Sequence, residues 1–162
     1  MPTTKSRTIT IKKNDIFFDI NALSLSLTEA TGADVVKADA ISTDSLSATG
    51  QRELTRLVDR RAGELRSVLR KLVTTATAST ANDQLSTADF AFALTVDNEF
   101  DDNQMVPLTA LMHEYIVKGA LSDWYKNNGI NGAGDSLASE LKGIEERIKE
   151  LAFYRSVPQY RS

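Results

Sequence analysis

"HEYIV", His113 to Val117, sets the chain's only histidine beside a glutamate, one residue type short of the zinc-protease signature H-E-x-x-H. That signature works because a second imidazole one helical turn on lets both nitrogens face one metal while the glutamate acts as general base. Here that position is Val117, and the chain has no cysteine. One imidazole plus carboxylates is a poor ligand set for a transition metal, so no metal, cofactor or catalytic residue is expected. His113 is instead expected on the flank of a helix whose Met112, Tyr115 and Ile116 face the core. No G-x-S-x-G elbow occurs, and a Ser-His-Asp triad would have to recruit His113 without local support.

Two further stretches invite chemistry and fail on spacing. "DNEFDDN", Asp97 to Asn103, concentrates acids as a calcium loop does. An EF-hand, however, needs glycine at its sixth position and a bidentate glutamate at its twelfth, where this segment offers Asp102 and Leu108. A solvated acidic turn that favours the positive end of the following helix accounts for the same residues. Gly129, Gly132 and Gly134 follow a helix rather than a strand and match neither phosphate-loop pattern, so "GINGAGD" reads as an inter-helix link.

The residues that point somewhere are basic. Between residues 51 and 71, seven basic side chains face only Glu53, Asp59 and Glu64. Turning about 100° per residue gathers Arg52, Arg56, Arg66 and Arg70 opposite the apolar stripe, with Arg60 flanking them. This ridge reads as a solvated helix face, a nucleic-acid backbone contact or a docking surface for an acidic protein, since arginine suits all three. Arg61 differs, because it falls inside the apolar sector between Leu57, Leu65 and Val68. A guanidinium there must snorkel outward or find a carboxylate, which marks an edge of the core or a subunit contact. Phe153, Tyr154 and Tyr160, beside Arg155 and Arg161, have the Tyr and Arg composition enriched at protein interfaces.

The elements that position these residues follow from periodicity. "RTITIKK" alternates Ile9 and Ile11 against threonines, as does "DFAFALTV" with Phe90, Phe92, Leu94 and Val96, so two short strands are expected to pair with each other or with a neighbouring subunit. A helix from Asn14 or Asp15 to about Thr31 carries Ile16, Ile20, Leu23 and Leu27, with Gly32 as its stop. Residues 32–49 read as a surface connection, and a long helix then runs from Asp44 or Thr49 with an apolar stripe from Leu54 to Val73. "TTATASTANDQ" is expected to be a polar loop. Pro107 sits in the first turn of a helix reaching Gly129, and a last helix spans about Ser136 to Arg155, forming an antiparallel hairpin across a seven-residue link. The fold expected is mainly α: a helical bundle with a C-terminal antiparallel helical hairpin and two short β-strands, in one domain. Residues 1–13 form an N-terminal arm or strand, 14–155 the body and 156–162 an extended C-terminal arm.

At 162 residues and a formal charge of −3 the chain is one domain long and mildly acidic, against the strong basic excess of most nucleic-acid-binding domains. It has no secretory h-region and no apolar run approaching the roughly 20 residues of a membrane span, so an unsecreted, membrane-free protein is expected.

"MVPLTALMHEYIVKGALSDWYKNNG" followed by "SLASELKGIEERIKELAFYRSVPQYR" places an aromatic "DWY" near a helix end, then a glycine-containing link, a second helix and a short arm. In this, residues 103–162 resemble the head-to-tail connector or adaptor proteins of tailed bacteriophages. The resemblance implies a non-enzymatic virion structural protein, made in the host cytoplasm and assembled as a neck ring of about twelve copies. It further implies portal protein and other neck or tail proteins as partners, with DNA passing the lumen and its backbone in reach. A tail-completion protein and a small helical nucleic-acid-binding regulator using the Arg52–Arg70 face stand as alternatives.

Overall fold

The computed structural model describes residues 3–31, 48–75 and 89–153. In chain order the elements are β1 (Thr4–Ile11), α1 (Lys13–Thr31), α2 (Ala48–Val68), β2 (Val73–Thr75), β3 (Phe90–Asp97), a 3-10 turn (Asp102–Gln104), α3 (Met105–Asn127) and α4 (Asn131–Ala152). The fold is mainly helical, with one small antiparallel sheet.

The two alternating segments pair with each other in unbroken register, Thr4 opposite Asp97 through Ile11 opposite Phe90. Alternation then sends Ile9, Ile11, Phe92, Leu94 and Val96 to one buried face and leaves Thr8 and Thr10 outside. A third strand, not expected from the sequence, lies on the other side of β3: the sheet order is β1-β3-β2. Leu72 and Val73, read as the end of the α2 stripe, instead form a turn and the start of β2, because α2 stops at Val68. Thr95 donates its backbone N–H to Leu72 O at 2.6 Å, so the apolar run continues as sheet rather than helix. The expected loop over residues 74–84 therefore begins as strand, and the rest of it lies outside the described residues. Of the connection expected over residues 32–49, residues 32–47 lie outside the described residues, while Ala48 and Thr49 already belong to α2.

α3 is the central helix. It packs against α4, α2, α1 and β1, and its residues from Tyr115 to Tyr125 are buried except Lys118. Trp124 is 1 % exposed and meets Tyr125 edge-on at 5.8 Å between ring centroids. Pro107 stands in the first turn, where its missing N–H has no helical acceptor to lose.

The C-terminal hairpin forms with a shorter link than the glycines suggest. Only Asn128–Ile130 separate the helices, and Gly132 and Gly134 are already inside α4. Gly129 makes the reversal, with φ of 77° in the left-handed region that a Cβ disfavours. Gly134 serves close approach: a Cβ there would stand 2.8 Å from Lys126 Cγ and 3.3 Å from Ser122 O, and Ser122 Oγ donates to Gly134 O at 2.8 Å. Leu137, Leu141, Ile144 and Ile148 form the buried seam of α4.

Candidate functional site

Arg61 finds a carboxylate. Tyr115, Gly119 and Asp123 recur every four residues along one face of α3, and the Arg61 side chain from α2 lies across that face. Its Nε and NH2 donate to Asp123 Oδ2 and Oδ1 at 2.8 and 2.7 Å, while NH1 donates to Glu64 Oε2 at 2.8 Å. Gly119 makes the crossing possible, since a Cβ there would lie 2.6 Å from Arg61 Cδ and 2.8 Å from its Nε. Burial alone would lower the Arg61 pKa, but the hydrogen bonds and charge of Asp123, with Glu64 and Tyr115, outweigh it and raise it. The side chains of Arg61 and Asp123 are 15 % and 10 % exposed, so the pair is a nearly desolvated bidentate clamp between α2 and α3. Toward Asp123 the sequence offers only an acid one turn after the mid-helix Gly119; that it is this acid which meets Arg61 follows from how the two helices cross.

The rest of the arginine ridge is dispersed. Arg56 is exposed; Arg60 reaches Glu64 at 3.7 Å and Asp123 at 3.9 Å. Arg66 lies half-buried with its guanidinium carbon 5.3 Å from the Phe92 ring centroid, at the edge of the core rather than on a solvent ridge. Arg70 falls beyond the end of α2. With Lys71, Lys149, Glu145 and the 44 %-exposed Phe153 it lines a groove of about 460 Å³ at the C-terminal ends of α2 and α4. Lys149 is held by Glu145 at 3.2 Å. The Arg52 side chain, with Tyr154, Arg155, Tyr160 and Arg161, lies outside the described residues.

His113 sits on the flank of α3, 24 % exposed, with Met112, Tyr115 and Ile116 turned inward. Its Nε2 is 2.6 Å from Asp19 Oδ2, which ties α3 to α1. Among the described residues no three His, Asp or Glu side chains could share a metal ion. The acidic turn is structural: Asp101 accepts from Asn103 N at 2.9 Å, and Asp102 accepts from Arg7 Nε and NH2, both at 2.9 Å. The Arg7 guanidinium, helped by Lys5, holds the Asp102 carboxyl down at about 2.

Sequence reasoning missed the outward side of α1. Ile16, Ile20 and Ser24 face the core, yet Phe18, Ala22 and Leu25 form a second stripe on the opposite side, with Phe18 73 % and Leu25 52 % exposed. A helix apolar on two faces is ordinarily covered on both. Its i, i+4, i+7 spacing is legible in "FFDINALSL", interleaved with the inward stripe of Ile16, Ile20, Leu23 and Leu27.

Among the described residues no helix is long and apolar enough to cross a membrane. Compared with models of protein families, with curated proteins and with solved structures, the chain matches none.

Proposed function

We propose that the protein is a structural adaptor that acts by associating with copies of itself and with other proteins, and that it carries out no catalysis. The observation behind this reading is the outward stripe Phe18–Ala22–Leu25 on α1, apolar surface on a helix already anchored to the core by its other side. Covering that stripe with another subunit removes two large side chains from water, each contributing about 1.5–3 kcal/mol when fully buried. The clamp between α2 and α3 supports the same reading, because it stiffens the body on which such a contact must be presented. The resemblance of residues 103–162 to phage connectors gives the adaptor a setting: a neck ring between portal and tail, closed by repeated heterologous contacts. Native mass measurement on the purified protein, alone and with a portal protein, tests it; assembly with the portal is expected, and a chain that stays monomeric and ignores the portal contradicts it.

A second reading draws on the groove beside Phe153. Arg70, Lys71 and Lys149 around an exposed ring suit the phosphates and bases of a single-stranded nucleic acid. Binding by that route would weaken steeply as salt rises, and Arg70→Glu with Lys71→Glu would flatten the slope. An affinity indifferent to salt would dismiss this reading.

A further inference from the structure

β1 is an edge strand, and its outer side is open in one place. Asn98 donates to Thr3 O at 3.0 Å across the ladder, and Thr3 and Asn98 are the next pair in the β1–β3 register. The odd-numbered residues of β1 therefore exchange hydrogen bonds with β3, while Thr4, Ser6, Thr8 and Thr10 turn their N–H and C=O groups away from it. Ser6 O is occupied, since Arg7 NH1 donates to it at 2.8 Å. That contact, with the inward-facing Lys5 and Arg7, blunts the first half of the edge in the manner of strands protected from pairing. Thr8 and Thr10 have no such cover: both are exposed, and among the described residues nothing bonds their outward groups.

Beside this open half runs a groove of about 610 Å³ between β1 and the first turns of α3. Its helical wall is Met105, Val106, Thr109 and Ala110, with Val106 78 % exposed, and Ile11 belongs to its strand side. Asp15, Lys12 and His113 close one end, where His113 is already engaged by Asp19 at 2.6 Å.

From this juxtaposition we infer that the β1–α3 groove is a strand-addition site that receives an extended peptide segment of a partner protein. Only a peptide backbone offers N–H and C=O pairs repeating every second residue to match Thr8 and Thr10, which nucleic acid and lipid lack. Alternate side chains of the incoming strand enter the groove, where Met105, Val106 and Ala110 select small or aliphatic groups. The inference rests on the β1 edge alone and does not depend on the adaptor reading, whose surface is the far side of α1.

Displayed random decapeptides selected on the full-length protein, followed by NMR titration of one synthesised winner, test it. Enriched peptides are expected to place small aliphatic residues at alternate positions. The titration should shift the Thr8 and Thr10 amides and slow their hydrogen exchange while leaving Ile9 and Ile11 protected throughout. Val106→Arg and Ala110→Arg, both at exposed positions, should weaken binding at least tenfold without changing the spectrum of the core. Failure to enrich any peptide, or enriched peptides that leave Thr8 and Thr10 unmoved, overturns the inference. Thr8 and Thr10 amides already protected in the free protein, in proportion to its concentration, would overturn it too, because a second copy would then hold the edge.

Discussion

Arg61 illustrates why one side chain can decide how two helices meet. Removing either member of a desolvated pair strands the other, at a cost of about 3–5 kcal/mol, whereas replacing both with apolar groups of similar volume is often neutral. Arg61→Ala and Asp123→Ala should each lower the urea midpoint accordingly, and Arg61→Met with Asp123→Leu should recover most of the loss. Gly119→Ala acts on the same contact from the other side. Its new methyl must displace a guanidinium held by three hydrogen bonds, and a destabilisation of about 1–3 kcal/mol is expected in the same assay. At Asp102 the effect is one of pH. Its folded pKa of about 2 lies below the ordinary aspartate value of roughly 3.9, so its contribution is complete above that value and disappears as pH falls through about 2. Denaturation midpoints measured down that range should fall less in Arg7→Ala than in the parent. The sequence exposed half of this chemistry: an arginine in an apolar stripe demands a partner, but which acid supplies it depends on how α2 crosses α3, and no local pattern encodes a crossing.

Elements were legible where a single periodicity ran uninterrupted. β1, β3, α1 and the α4 seam stand close to where alternation and helical spacing put them. They failed where two structures share one pattern: Leu72 and Val73 continue the α2 stripe equally well as helix or strand, and only pairing with β3 decides. The glycines of "GINGAGD" misled for a different reason, since Gly134 is there to let two helices touch and not to end one. Gly129 is the one that makes the turn. Gly129→Ala should cost about 1 kcal/mol or more, seen as a lower thermal midpoint, because alanine resists the left-handed conformation. Gly132→Ala, with open space around its Cα, should be neutral or stabilising in the helix.

For the whole molecule the question is what covers α1. Its inward side holds Ile16 and Ile20 at 0 % exposure, and its outward side shows Phe18 and Leu25 to solvent. In the proposed reading another subunit covers that side, and the body behind the stripe is held by the Arg61 clamp and the Asp19–His113 contact. Function by contact accounts for both features: surface to offer and a frame rigid enough to offer it in one geometry. The direct test is the native mass of the protein against that of Phe18→Glu with Leu25→Glu, both at exposed positions that leave the core intact. The parent should appear as a defined multiple of the 17.8 kDa chain and the double variant as the single chain with unchanged helicity. A parent that remains at 17.8 kDa at every concentration, alone and beside a portal protein, would contradict the account.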